Sequence, residues 1–203
     1  FFTLAAFAYA LRRHWFIASL IAALAALTRL QGVLLVVPLA YLVWQDVAKE
    51  SGGEGEGERG RPPRTTLHAS RFAPLLLIPL ATIAFLVLTN LSLVASYEGE
   101  LHARFVMPWD NLAVMIALLA RGQASFVDAL NLLAMVLLAI MVARAWTRLP
   151  RAYGVYALAM LLAPLLRMTT EQPLVSMTRY ALAIFPVFML WGMWGKNAWV
   201  NRV

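Results

Sequence analysis

The chain has 203 residues, 62% of them hydrophobic and only 13% charged, with a formal net charge of +7. A soluble domain is nearer half apolar and a quarter charged, and here the apolar residues fall in long blocks, so composition points away from a soluble globule and toward a membrane protein. There is no cysteine, which removes disulfides and thiol-based metal or redox chemistry.

The basic residues gather at the ends of the apolar blocks and form no Lys/Arg stripe interleaved with aromatics. That is the pattern of membrane orientation and not of a phosphate-tracking face, so no nucleic-acid partner is expected. The partner implied is membrane lipid. Phe1 lies in the middle of an apolar run, with no initiator Met and no basic n-region before it. Residues 1–203 therefore read as the C-terminal part of one integral membrane domain.

Seven apolar blocks follow in order. The first, Phe1 to Leu11, ends at Arg12, Arg13 and His14. The second runs from Trp15 to about Leu27 and the third from about Leu30 to Trp44. Both are shorter than the ~20 residues of a perpendicular span, so each is expected either at half depth or with its polar ends inside protein. Pro38 is a candidate kink in the third. Residues 46–71, with "SGGEGEGERGRPPR", lack the apolar content of a core and read as a flexible cytoplasmic loop.

The fourth block, Phe72 to about Ser96, reads as a full span with Pro74 and Pro79 near its start. Residues 97–125 read as an external loop holding a short interfacial helix, "NLAVMIALLA". The fifth block, Phe126 to Trp146, is a full span. The sixth, Ala152 to Leu166, and the seventh, Tyr180 to Trp194, are shorter and separated by "RMTTEQPLVSMTR". The expected fold is all-α: a polytopic transmembrane helical bundle of about six to seven membrane segments, without internal repeats.

Alternation through the bilayer puts 12 basic residues on the side of the odd connections and five on the other. The basic side is assigned to the cytoplasm. Of the ten acids, Asp46, Glu50, Glu54, Glu56 and Glu58 belong to the long loop; Glu98, Glu100, Asp110, Asp128 and Glu171 fall at the opposite face. Three motif-like segments share that face, and polar groups gathered at one membrane face mark a site more often than packing.

In "ALTRLQG", Arg29 is either a snorkelling helix-end cation or a planar clamp for phosphate, with Gln31 beside it and Gly32 closing the turn. In "FVMPWDN", Asp110 is placed to N-cap the following helix, and Trp109 to sit in the interfacial belt or to stack on a sugar. In "TTEQPLVSMTRY", a helix starting near Leu174 or Val175 puts Ser176, Arg179 and Tyr180 on one face. Arg179 there opens an apolar helix, where facing lipid is costly and a cavity or anion is the better partner. Asp128 and Asn131, three apart, suit capping or interhelical bonding. His14, His68 and His102 make no metal-ligand spacing, and no P-loop, GxSxG or dinucleotide fingerprint is present.

Two of these segments carry a resemblance. "LAALTRLQGVLLVVPLAYLVW" and "EQPLVSMTRYALAIFPVFMLWG", about a fifth of the chain, resemble segments of the PIG-V-like membrane mannosyltransferases, members of the GT-C superfamily of polytopic glycosyltransferases. The resemblance implies a GT-C-like fold and transfer of a sugar, mannose in that family, from a polyprenyl- or dolichyl-phosphate donor at the non-cytoplasmic face. The family includes an enzyme of glycosylphosphatidylinositol anchor synthesis. The resemblance carries over Arg29, Gln31 and Gly32 as one turn, Ser176, Arg179, Tyr180 and Pro186 as a second element, and "MPWD", with Trp109, as part of an external loop. No cofactor is evident in the sequence; the lipid-phosphate sugar is a substrate. The family's catalytic acid belongs to a first external loop, expected upstream of Phe1, so the resemblance names no catalytic base within this chain; Asp110 and Glu171 are the candidates it offers. The competing class is a transporter or lipid flippase, which also uses Pro- and Gly-interrupted helices but should show repeats and mid-membrane polar residues.

Overall fold

The computed structural model describes residues 1–52, 70–89, 104–168, 173–174 and 177–195. These residues form nine α-helices, two short 3-10 segments and one two-residue strand pair. The chain divides into two compact units, Phe1–Leu88 and Thr89–Val203.

In the first unit, α1 (Phe2–Leu11) turns at Arg12–His14 into α2 (Trp15–Thr28). Arg13 takes a left-handed conformation in that turn, with φ 63°. A 3-10 segment (Leu30–Leu35) then leads into α3 (Val36–Gly52), and a second one (Ala73–Leu76) into α4 (Leu77–Leu88). Both 3-10 segments have the same cause. Pro38 and Pro79 are each the third residue of the α-helix that follows. A proline there has no N–H to reach the carbonyl four residues back, so the preceding turn tightens to the i→i+3 pattern.

Helix α2 is the centre of this unit, packed against α1, α4 and both 3-10 segments. It buries Ala18, Ser19, Ala22, Ala25 and Ala26, and side chains that small let neighbouring backbones come close. The closest approach is at Gly32. A Cβ there would lie 2.5 Å from the carbonyl carbon and oxygen of Ala25 and from the nitrogen of Ala26.

Of the two readings of the third apolar block, half depth or a span whose polar ends lie inside protein, the described helix fits the second in length. Helical structure runs unbroken over Leu30–Glu50, 21 residues, long and apolar enough to cross a membrane. It continues past Trp44 because the polar residues beyond find partners. Gln45 Nε2 donates to the Tyr41 hydroxyl at 3.0 Å, and Asp46 is ion-paired to Arg13 and Arg71. The hydrophilic stretch expected over 46–71 is therefore helical at both ends, through Gly52 and again from Ser70. The remaining residues of that expected loop, 53–69, lie outside the described residues. Ser70–Leu88, 19 residues, is the second helical run long and apolar enough to span. The end of the fourth block, 90–96, lies outside the described residues.

In the second unit, β1 (Arg104–Phe105) precedes α5 (Pro108–Ala120), α6 (Phe126–Arg148) and α7 (Arg151–Leu165). Then come β2 (Arg167–Met168), α8 (Met177–Ala183) and α9 (Phe185–Trp194). Helix α6 has 23 residues, about 35 Å against a hydrocarbon core of about 30 Å, and is the third span-length helix among the described residues. Ser125 and Asp128 start it as a capping box: the Ser125 N–H and hydroxyl donate to the carboxylate at 2.9 and 2.7 Å, and the Asp128 N–H donates back to Ser125 Oγ at 3.2 Å. This satisfies helix-end donors reciprocally, as expected for Asp128.

A two-residue link, Leu149–Pro150, folds α7 back along α6. Gly154 seats against Trp146, whose Cε3 would be 2.9 Å from an added Cβ. The seventh apolar block is broken at Ile184 into α8 and α9. Pro186 causes the break: it has no N–H to continue the ladder, and the backbone leaves helical values at Ile184 (φ −86°, ψ 77°), so that the proline falls in the first turn of α9. Ala183 loses its helical donor there, and the buried Tyr156 hydroxyl replaces it at 3.0 Å. Tyr156 and Tyr153 also pack their rings on Phe185. At the far end Arg144 lies over the Trp194 ring, 5.3 Å from its centroid.

Candidate functional site

The expected site residues fall in both units. In the first, Arg29 follows α2 in extended conformation (φ −149°, ψ 128°). Its N–H donates to Ala25 O at 3.1 Å, and its carbonyl accepts from the Gly32 N–H at 2.7 Å. Thr28 Oγ1 also donates to Ala25 O, at 2.8 Å. Backbone and hydroxyl bonds thus fix the "TRLQG" turn, and Gly32 allows it to close against α2. The Arg29 side chain is exposed, with no hydrogen bond or ion pair among the described residues, and Gln31 is half-buried.

At the other end of α2, 14 residues or about 20 Å away, lies a charge cluster that composition did not reveal. Arg13 reaches Asp46 at 2.7 Å and Glu50 at 3.6 Å, and Arg71 reaches the same two carboxylates at 3.2 and 3.0 Å. Asp46 is 8% exposed. The signal was available: Asp46 and Glu50 are four apart, hence on one helix face. It is visible only once α3 is extended beyond Trp44.

In the second unit the structure joins two segments that are more than 50 residues apart in sequence. Arg104 pairs with Met168 and Phe105 with Arg167 in an antiparallel ladder, extended by a bond from the Val106 N–H to Leu166 O at 3.0 Å. A few residues on, Asn111 is completely buried. Its Oδ1 accepts from the Leu174 N–H at 2.9 Å, and its Nδ2 donates to Leu165 O at 3.4 Å. Leu165 ends α7, so its carbonyl is one that the helix leaves without a donor. Leu174 is left-handed, φ 57°, a conformation unfavourable for a leucine, and the bond from its amide holds it there. Asn111 thus fastens the "MPWDN" helix to both sides of the "RMTTEQPL" segment.

Asp110 stands at the third position of α5 and not at its N-cap. The helix begins earlier than the expected cap implies, because Met107 is extended and Pro108 occupies the first turn, where a missing N–H removes nothing. The Asp110 carboxylate accepts from the Met107 N–H at 3.3 Å and is otherwise exposed. Trp109 is 65% exposed.

Helix α8 starts at Met177, which is buried, with Arg179 exposed and Tyr180 half-buried. Arg179 makes no ion pair or hydrogen bond among the described residues. Glu171 and Ser176 lie outside the described residues. Among the described residues no three His, Asp or Glu side chains are grouped to hold a metal ion.

The antiparallel run of α6 and α7 gives the second unit two chemically different ends. One has Arg144, Arg148 and Arg151; the other has the Ser125–Asp128 cap, α5 with Trp109 and Asp110, the Leu174 turn and the start of α8 with Arg179. Asn111 was missed as a determinant of this site, although an Asn facing inward with Met115, four residues on, is a polar residue where a Leu would pack.

Comparison with family models, with curated proteins and with solved structures found no match to the chain. Fold and geometry define a helical protein with, among the described residues, three helices long and apolar enough to cross a membrane.

Proposed function

We propose that the chain is part of a multi-spanning, GT-C-like membrane glycosyltransferase that transfers a sugar, mannose by resemblance, from a polyprenyl-phosphate donor to an acceptor at the non-cytoplasmic face. The observation that carries this reading is the fastening of "MPWDN" to "RMTTEQPL" through the strand pair and Asn111. It collects, at one end of one unit, an exposed Trp–Asp pair and the helix bearing an exposed arginine free of partners among the described residues.

In this reading Arg179 holds the donor phosphate. Its planar fork of donors matches two phosphate oxygens and stabilises the charge that grows on them as the glycosidic bond breaks. A carboxylate takes the acceptor hydroxyl proton as that oxygen attacks the anomeric carbon. Asp110 is the described candidate, since its only described contact is a single long bond to Met107; Glu171 is the other. Trp109 offers a ring face to a sugar. Attack in one displacement inverts the anomeric centre. Arg29, with Gln31, remains the alternative phosphate ligand.

The break at Ile184 is the feature a transporter or flippase would share, since such proteins use unwound carbonyls to bind solute ions. Here the freed Ala183 carbonyl is already taken by Tyr156, which weighs against that use.

The test is sugar transfer from a polyprenyl-phosphate mannose donor by the full-length protein and by Arg179→Lys, matched for folded protein. Loss of a charge-assisted contact at a dry site costs about 2–4 kcal/mol, a rate loss of about 30- to 1000-fold. Equal rates would remove Arg179 from the site, because a snorkelling arginine is replaced by lysine almost freely.

A further inference from the structure

Segment 105–120 has a face that nothing among the described residues covers. Phe105, Met107 and Trp109 alternate along the approach to α5 and are 75%, 46% and 65% exposed. On the helix, Trp109, Ala113 and Ile116 follow at i, i+4 and i+7, one stripe, with Ile116 61% exposed. The opposite stripe is fixed inward by the buried Asn111 and Met115. The helix therefore cannot roll to hide its apolar side without breaking the bonds to Leu165 and Leu174.

Three observations identify the occupant. Helix α5 has 13 residues, about 20 Å, and does not cross a hydrocarbon core of about 30 Å. Only the short link from Arg121 to Ser125 separates it from the span-length α6, and a link of that length reaches at most about 17 Å. That tether keeps α5 at the surface of whatever bilayer α6 crosses. Finally, the exposed apolar stripe carries aromatic rings of the kind that settle at headgroup level, and the helix is bounded by exposed Asp110 and Arg121.

We propose that Phe105–Ala120 is a wedge seated in the outer leaflet, with Phe105, Met107, Trp109 and Ile116 in the acyl–headgroup boundary and Asp110 at the level of the lipid phosphates. This rests on the membrane reading above and deepens it. A polyprenyl phosphate buried by its chain would present its phosphate at that same depth, so the wedge sets the height at which Asp110 and Arg179 meet the donor.

Because the chain has no cysteine, single nitroxide labels can be placed by substitution alone. Full-length protein with Ile116→Cys, Trp109→Cys, Gln123→Cys or Leu137→Cys is labelled and reconstituted in phosphatidylcholine–phosphatidylglycerol vesicles. Collisions with oxygen, which concentrates in lipid, are compared with collisions with a water-soluble nickel chelate. Leu137, exposed midway along α6, is the lipid control, and the exposed Gln123 the water control. The expected result is an oxygen preference at 116 and 109 that is smaller than at 137, as suits the acyl–headgroup boundary, and that is reversed at 123. A nickel preference at 116 would overturn the wedge by placing the face in water. Shielding from both reagents would overturn it by showing a protein surface there instead. Loss of the oxygen preference at 137 would overturn the membrane reading itself. None of these outcomes depends on sugar transfer, so the wedge and the glycosyltransferase reading fail separately.

Discussion

Replacing Asn111 by alanine removes the bond that holds Leu174 in its left-handed turn and the donor that satisfies the last carbonyl of α7. Each buried backbone group left without a partner costs about 1–3 kcal/mol. The contact to Leu165 is long, 3.4 Å, and counts near the bottom of that range, so the pair amounts to about 2–4 kcal/mol. The left-handed leucine adds about 1–2 kcal/mol of strain that the bond now restrains. Once the bond is gone, the turn has a local incentive to relax and re-solvate its amide. The damage should accordingly be concentrated in the turn around Leu174. In detergent, hydrogen exchange at the Leu174 amide should rise to that of an exposed loop, while the middle of α6 keeps its protection. A loss of about 2–4 kcal/mol in a chain of this size lowers Tm by roughly 5–15 °C. Asn111→Asp separates the two bonds: it retains the acceptor for Leu174 but sets a carboxylate against the Leu165 carbonyl, so Leu174 should stay more protected than in the alanine variant. Wild-type exchange at Leu174 together with an unchanged Tm in Asn111→Ala would refute this account of how the two segments are held.

In the first unit, Gly32→Ala should destabilise by about 3 kcal/mol or more, the upper end of overpacking, because the obstacle at 2.5 Å is the backbone of α2 and not a movable side chain; thermal unfolding of the purified protein measures it, and a wild-type Tm would contradict the close approach. Asp46→Ala should cost about 1–2 kcal/mol, less than breaking an isolated buried pair, because Glu50 still faces both arginines and Arg13 is largely exposed; the loss should shrink in high salt, and a salt-independent loss of the same size would assign it to packing.

Much of the helical framework is written in local sequence. Apolar blocks bounded by Arg12–His14, Arg29 and Leu149–Pro150 became helices with those limits, because helix termini respond to nearby prolines, caps and charges. The 3-10 turns that lead into α3 and α4 follow from Pro38 and Pro79, and the break in the last block follows from Pro186. The Ser125–Asp128 cap follows from a spacing of three, and the closure of the "TRLQG" turn depends on the one residue that lacks a side chain. Only tertiary structure decided the rest. Asp46 reads as a loop acid until α3 is brought beside Arg71, 25 positions away, and Asn111 reads as part of a helix start until Leu174, 63 positions away, donates to it. Periodicity and composition register which side of a helix is apolar, but not which distant backbone group it will meet. Those partners were chosen by the packing of α5 against the end of α7 and of α3 beside the 3-10 segment that leads into α4. Buried polar groups must then be satisfied by whatever that packing brings within reach.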